Sequence, residues 1–390
     1  MSKIDELIQQ YCPDGVEFVK LGDVCRVCRG TRVVKTQLSE SGYPVYQNCL
    51  TPMGFFEKTN CTGGTTFVIC GGAAGNVGYT DVDCWAADDC EYIECGNKVI
   101  NRYIYYCLMS KQHYLLSKVR KASIPRLSPN VIKDLEIPLP PLPVQEEIVR
   151  VLDTFTELQA ELQAELQARQ QQYNYYRDTL LSFEGRDDVQ WMKLEQVFEL
   201  RNGYTPSKNN KAFWDNGTIP WYRMEDIRQN GRILKDSIQH ITPLAIKGKG
   251  LFEANTFIIA TTATIGEHAL LIADSLANQR FTNLKIRESL KDKLDVKFVF
   301  YYLFIVDEFC KNHVNISGFA SVDMEAFKRM QFPIPPLSEQ QRIVSILDRF
   351  DTLVNDLSQG LPAEIEARQQ QYEYYRDRLL SFKRKSEWSE

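Results

Sequence analysis

The chain is written twice, and that limits its possible folds more than any composition does. Residues 169–183, RQQQYNYYRDTLLSF, return at 368–382 as RQQQYEYYRDRLLSF, with 13 of 15 positions identical. Residues 137–155, IPLPPLPVQEEIVRVLDTF, return at 332–350 as FPIPPLSEQQRIVSILDRF. Upstream, VEFVKLGDV (16–24) matches VQWMKLEQV (189–197), and NRYIYYCL (101–108) shares its pattern with VKFVFYYL (296–303). The matches keep one order in both halves. The chain is therefore a tandem duplication of a two-part unit, a variable globular domain followed by a long helix.

Proline marks the start of each helix. PLPPLP (138–143) and PIPPLS (333–338) are stiff and extended, so helix is expected from near Gln145 and Gln340. In the first copy Ile148, Leu152, Phe155, Leu158, Leu162, Leu166, Tyr173, Tyr176 and Leu180 fall mainly three or four apart. That is the seam of a coiled coil or helical hairpin. The second copy repeats it with Ile343, Leu347, Phe350, Leu353, Leu357, Ile365, Tyr372, Tyr375 and Leu379, and Gly360 and Pro362 predict a kink or break. Neither helix can bury its stripe alone, and two in one chain can bury each other. The expected fold is α+β: two mixed α/β domains joined by two long helices in an antiparallel coiled coil, with pseudo-two-fold internal duplication. The boundaries fall at 1–142, 143–184, 185–337, 338–383 and a polar tail at 384–390.

One tetrapeptide is repeated without error inside the first helix: ELQAELQAELQA, 157–168. Each copy turns a helix by about 400° and lengthens it by about 6 Å. Units can be gained or lost while Leu158, Leu162 and Leu166 keep facing the seam and Glu157, Glu161 and Glu165 face solvent. Such a run suits a spacer whose length matters.

The globular parts carry short β-like runs, TTFVIC (65–70) and NTFIIATT (255–262), bounded by Gly-rich or polar turns. CGGAAGNVG (70–78) lacks the Lys-Ser/Thr ending of a nucleotide loop, and its counterpart ATTATIGEH (260–268) has lost most of the glycines. It reads as a turn between strands. Ten of the eleven cysteines lie between Cys12 and Cys107. Cys25 and Cys28 form a CxxC with no second pair at a zinc spacing, and Cys25 aligns with Phe198, so buried reduced thiols are expected.

No signal peptide opens the chain and no apolar run approaches membrane length, which points to a cytoplasmic protein without a membrane. The net charge of −5 argues weakly against nucleic acid, but its distribution matters more. From Cys95 to Lys133 there is no acid and there are eight basic residues. Arg26, Arg29, Arg32 and Lys35 make a second acid-free run. No methyltransferase, Walker or nuclease motif is present, and His113, His240, His268 and His313 are scattered.

The twofold hPhPPLxxQxxIVxxLD elements (137–153 and 332–348), the twofold RQQQYxYYRDxLLSF elements and the loop NGYTPSK (202–208) resemble the specificity subunit of type I restriction–modification systems. The resemblance covers nearly the whole chain. In the first half the loop departs, reading RGTRVVK (29–35). The resemblance implies a non-catalytic subunit that binds double-stranded DNA, each target recognition domain reading half of a bipartite site. The helices would set the spacer and dock two modification subunits, with restriction subunits completing the assembly. No cofactor is expected on this chain, since S-adenosylmethionine, ATP and Mg belong to those partners. A coiled-coil adaptor without DNA specificity is the alternative.

DNA binding needs cations on phosphates and side chains at base edges. In the first domain the candidates are Arg29, Arg32 and Lys35, with Arg120, Lys121, Ser123 and Arg126 from KVRKASIPR (118–126). In the second they are Tyr204, Thr205, Ser207, Lys208, Asn209 and Lys211, with Ser317, Gly318 and Ser321 from the loop before the prolines, and Arg223 and Arg280 behind them. Tyr173, Tyr176, Tyr372 and Tyr375 read as seam residues, and Arg169, Arg177, Arg368 and Arg376 as outward residues for partner docking.

Overall fold

A computed structural model describes residues 3–315, 320–356 and 359–385. The chain packs as two compact units, Met1–Ala164 with Ala363–Glu390, and Glu165–Pro362. Each contains one recognition domain and one pair of helical segments.

In the first unit the strands Cys25–Arg29, Cys90–Cys95, Thr65–Ile69 and Val77–Thr80 form an antiparallel sheet in that order. Thr65–Ile69 is buried along its whole length, as its unbroken run of apolar residues and threonines predicts for a covered strand. A smaller sheet sets Tyr43–Tyr46 between Phe55–Phe56 and Trp85–Ala86, parallel to the latter. The helix Asn101–Ser110 buries Tyr103, Ile104, Tyr106, Cys107 and Leu108.

The second unit repeats this plan. Its main sheet runs Phe198–Asn202, Phe281–Ile286, Thr256–Ala260, His268–Leu271, Ile233–Leu234, and its small sheet sets Ile219–Tyr222 between His240–Ile241 and Leu276–Ala277. The helix Val296–Asn312 stands where Asn101–Ser110 does, with Asp295 accepting at its N-terminus from Lys297 and Phe298 N–H. A short helix, Met224–Asn230, is an addition to this domain. The turns after Thr65–Ile69 and Thr256–Ala260 also agree. Gly75 N–H donates to Ile69 O at 2.8 Å, as Gly266 N–H does to Ala260 O at 3.2 Å. The glycine-rich stretch is a turn between strands.

The long helix runs Leu142–Leu180, 39 residues, and the second stretch is two helices, Leu337–Asn355 and Leu361–Leu379. Helix begins at Leu142 and Leu337, three residues ahead of the glutamines, because Pro143 sits in the first turn, where proline has no hydrogen bond to lose. The expected interruption appears between Asn355 and Leu361. Leu357 lies outside the described residues. In the first unit Phe155 stacks on Tyr375 with ring centres 5.4 Å apart, and Gln159 donates to Gln369, so these segments run antiparallel. In the second unit Tyr176 stacks on Phe350 at 5.5 Å, the same pairing from the other copy. Leu166 is buried, Leu158 and Leu162 are half-buried, and Glu157, Glu161 and Glu165 are exposed. Ile148 and Leu152 share one core with Ile93, Tyr103, Tyr372 and Leu380.

The shared motif also has an interior function invisible in its pattern. Gln145 is fully buried. Its Nε2 donates to Pro140 O and Lys98 O, and its Oε1 accepts from Ile100 N–H. Gln340 repeats the clamp with Pro335 O, Lys293 O and Asp295 N–H. The aspartates of the two LD pairs fasten the same helices. Asp153 holds Arg102 at 2.7 Å and Tyr106, and Asp348 holds Lys297 at 2.6 Å and Tyr301 at 2.7 Å.

Candidate nucleic-acid interface

The two divergent loops, RGTRVVK and NGYTPSK, occupy equivalent places. Gly30 N–H donates to Cys90 O and Thr31 N–H to Ala86 O. Likewise Gly203 N–H donates to Phe281 O and Tyr204 N–H to Ala277 O. A Cβ on Gly30 would lie 2.1 Å from Ala87 O, and one on Gly203 2.3 Å from Ala277 O and from Asn278 O. Only glycine admits that approach. The equivalence puts Arg29 with Asn202, and beyond the loops Lys35 and Lys211 each open a short 3-10 turn.

In the first domain Arg29, Arg32 and Lys35 are exposed. Arg120 and Arg126 exchange backbone hydrogen bonds at 2.8 and 3.2 Å, closing a hairpin whose tip exposes Lys121 and Ser123. Arg29, Lys118, Arg120 and Arg126 meet around a concavity of about 370 Å³. The acid-free stretch is not acid-free in space. Asp88, Asp89 and Glu91 line the same concavity, and Arg126 Nη1 lies 3.0 Å from Asp89 Oδ1. Glu91 is buried, and that burial pushes its carboxyl up despite Arg29 and Lys133 nearby. The Cys70 thiol is pushed up to about 12, chiefly by burial.

In the second domain Tyr204 is committed to the fold. Its hydroxyl donates to Ala245 O at 3.0 Å and accepts from Lys247 N–H at 2.9 Å, so it shapes the loop. Thr205 donates to Gln279. Ser207 is exposed, and its carbonyl accepts from Trp214 Nε1 at 3.0 Å. Lys208 and Lys211 line a pocket of about 260 Å³ with Trp214, Asp215, Trp221, Arg223 and Gln239. Asn209 and Arg280 are exposed. Ser321 pairs with Thr262, across the turn that Arg126 crosses by pairing with Gly71. Ser317 and Gly318 lie outside the described residues.

The docking arginines divide. Arg169 and Arg368 are partly exposed, each ion-paired along its own helix with Glu165 at 2.7 Å and Glu364 at 3.6 Å. Arg177 and Arg376 do not point outward: their side chains are only 14% and 13% exposed. The Arg177 guanidinium lies 5.7 Å from the Tyr173 ring centre and 4.6 Å from that of Phe304, and Arg376 lies 5.6 Å from Tyr372. Four residues after the seam tyrosine, the cation covers its ring. Tyr175 and Tyr374 point outward, 67% and 60% exposed.

His268 is fully buried, with Nδ1 2.7 Å from Asp307 Oδ2 and Arg232 beside both. Burial lowers its pKa. The network is interior at His268 and Asp307, while Arg232 is 30% exposed and lines a cavity with Phe300 and Phe304. Cys25 meets Cys95 at 3.1 Å across a register pair whose counterpart is Phe198–Ile286; Cys25 is buried and Cys95 half-buried. Among the described residues no cluster of three His, Cys, Asp or Glu side chains could hold a metal ion, and no helix is long and apolar enough to cross a membrane.

The family model for the type I restriction modification DNA specificity domain matches residues 13–169 and again 186–367. The chain belongs to that specificity family. Among curated members, the Escherichia coli EcoprrI specificity subunit is 53% identical over 203 residues, covering 50% of this chain and 51% of that one. The chain thus aligns with about half the length of this relative. The Escherichia coli EcoR124I/EcoR124II specificity subunit is 39% identical over 302 residues, 73% of this chain and 72% of that one. The fold is that of solved family members. The S subunit from M. genitalium superposes with a TM-score of 0.59 at 16% identity, over 94% of this chain and 96% of that one. A chain from a study of complex assembly and conformational transition of the type I R-M system gives 0.61 at 17% identity, over 94% and 97%.

Proposed function

We propose that this chain is the DNA-reading subunit of a type I restriction–modification assembly. Each recognition domain reads one half of a bipartite duplex site. The single observation that carries this reading is the equivalence of the two loops, 29–35 and 202–208. Both are fixed by the same backbone hydrogen bonds, both lead into a short 3-10 turn that opens on a lysine, Lys35 or Lys211, and both border concavities where cations gather. A scaffold would not need cations at matching loops whose remaining side chains differ.

The helices then set the unread spacer and dock two modification subunits, with Arg169 and Arg368 contributing to docking from equivalent surfaces. The chain itself carries out no chemistry. S-adenosylmethionine, ATP and Mg act on the modification and restriction subunits, and the assembly works in the cytoplasm. The test is binding of the full chain to duplex DNA at rising salt, followed by sequencing of methylated adenines in cells that also carry the partner subunits. Steeply salt-dependent binding and a bipartite motif with a fixed gap are expected. Salt-insensitive binding without a motif would return the chain to the scaffold reading.

A further inference from the structure

We infer that the Arg126–Asp89 ion pair reads one G·C base pair in the half-site of the first domain. The guanidinium donates to guanine O6 and N7, and the carboxylate accepts from the cytosine N4 amino group. This rests on the DNA-reading function proposed above and assigns one base pair to two named side chains.

The frame around the pair is common to the two domains. Cys70 N–H donates to Asp89 O at 2.7 Å, and Thr261 N–H donates to Arg280 O at 2.9 Å. Asp89 and Arg280 therefore hold the same place in the two domains. Leu127 N–H donates to Cys70 O, and Val322 N–H to Thr261 O, both at 2.9 Å. Arg126 and Ser321 precede them and bridge the same turn, to Gly71 and Thr262. The same main-chain bonds build this corner in both domains. The second domain makes it with an arginine and a serine, which cannot form an ion pair with each other. The pair in the first domain is thus a choice of side chains on a frame that does not require it.

Stability does not account for that choice, since an ion pair this exposed contributes little. Arg126 is 57% exposed and Asp89 18%, so the cation reaches solvent while the carboxylate stays held beside it. Nη1 is engaged, and the remaining guanidinium N–H groups are available for a bidentate contact. A donor fork and an acceptor 3.0 Å apart match what a G·C pair offers in the major groove: two acceptors on guanine beside one amino donor on cytosine. An A·T pair presents its amino donor on the purine next to N7 and leaves the guanidinium a single acceptor on each base. Arg280 can take guanine in the second domain, but across the corner stands only the neutral Ser321 hydroxyl, which donates as readily as it accepts and so does not demand an amino group on the partner base.

The experiment selects bound sequences from a randomised duplex pool with the full chain. Wild type is expected to select a motif containing a fixed G·C pair. Arg126→Gln and Asp89→Asn should both weaken preference at that same base pair, about tenfold, leaving the rest of the motif and the other half-site intact. Arg126→Lys, which keeps the charge, should relax the guanine in the same way and serves if the other variants fold poorly. A motif unchanged in the variants overturns the assignment. So does relaxation at two different base pairs, or a uniform loss of affinity for all sequences with a salt slope reduced by about one, the behaviour of a phosphate contact. A wild type that selects no motif overturns the DNA-reading function itself, and the assignment falls with it.

Discussion

Replacing Gln340 by alanine should lower the stability of the second unit more than any change on its surface. The side chain has no exposed area. It donates to Lys293 O at 2.8 Å and Pro335 O at 2.7 Å, and accepts from Asp295 N–H at 2.8 Å. Alanine leaves all three groups unpaired, at about 1–3 kcal/mol each. Water entering the vacated space recovers part of this, leaving ~4 kcal/mol. For a unit of this size 1 kcal/mol moves the midpoint by about 2–4 °C, so a drop of about 10 °C is expected. Calorimetry on the full chain reads it, and Gln145→Ala should depress the transition of the first unit instead. Gln340→Glu separates hydrogen bonding from cavity formation. At pH 7 it aims a carboxylate at two carbonyl oxygens and should be worse than alanine. Its carboxyl is then held above its unfolded value of about 4.3. The folded state binds the proton more tightly, so the variant gains stability as pH falls and loses it as pH rises through the raised value. A glutamate variant as stable as alanine at pH 7, or an alanine variant within ~1 kcal/mol of wild type, would refute the clamp.

Three further outcomes are expected. Glu339 is held down to about 2, first by Arg342 and then by Arg186, against the opposing effect of its burial. Its contribution is present above the unfolded value of about 4.3 and disappears as pH falls toward 2. Urea midpoints between pH 5 and 2 should flatten in Glu339→Gln if these pairs matter. Deleting Glu161–Ala164 removes about 6 Å and about 400° of helix. The unread gap should shorten by at most about two base pairs, with both half-sites unchanged, as read by sequencing methylated adenines; an unaltered gap in a folded deletion protein would end the spacer idea. Gly203→Ala places a methyl 2.3 Å from two carbonyl oxygens. It should cost about 1–3 kcal/mol and weaken DNA binding by displacing 204–211, whereas Gly96→Ala, whose methyl would meet nothing nearer than Val24 O at 3.9 Å, should leave binding intact.

The duplication was legible because it lies in the order of residues, and so were most of the seam, the break near Gly360 and the turn at 70–78. Each follows from local chemistry: period, proline, glycine. Within Leu337–Asn355, though, Val354 is buried and the expected Leu353 is exposed. What was hidden depends on contacts between distant segments. Asp88, Asp89 and Glu91 lie some 30 residues before the basic hairpin, and only the pairing of Cys90–Cys95 with its neighbours brings them beneath it. Arg177 and Arg376 read as outward because arginine prefers solvent. The tyrosine one turn earlier offers each guanidinium a ring to cover instead. Gln145 and Gln340 sit in a quoted motif, yet nothing in its pattern says that a polar residue goes inside. The signal was available: glutamine at the same place in both copies, just after a proline run that leaves carbonyls unpaired. Tyr204 was expected at DNA and belongs to its loop, since a phenol of that length reaches the backbone opposite.

The pairing of Gln159 with Gln369 spans 210 residues, and this separation sets an order of assembly. A ribosome adding about 5–20 residues per second needs roughly 10–40 s to travel that far. During that interval the first recognition domain exists while Ile148 and Leu152 lack Tyr372 and Leu380, the last members of their core. The second unit, whose Tyr176 and Phe350 emerge sooner, closes first. The half of the molecule made earliest is finished last, and an arrest of synthesis before residue 363 would leave its apolar seam open to whatever chain is nearest.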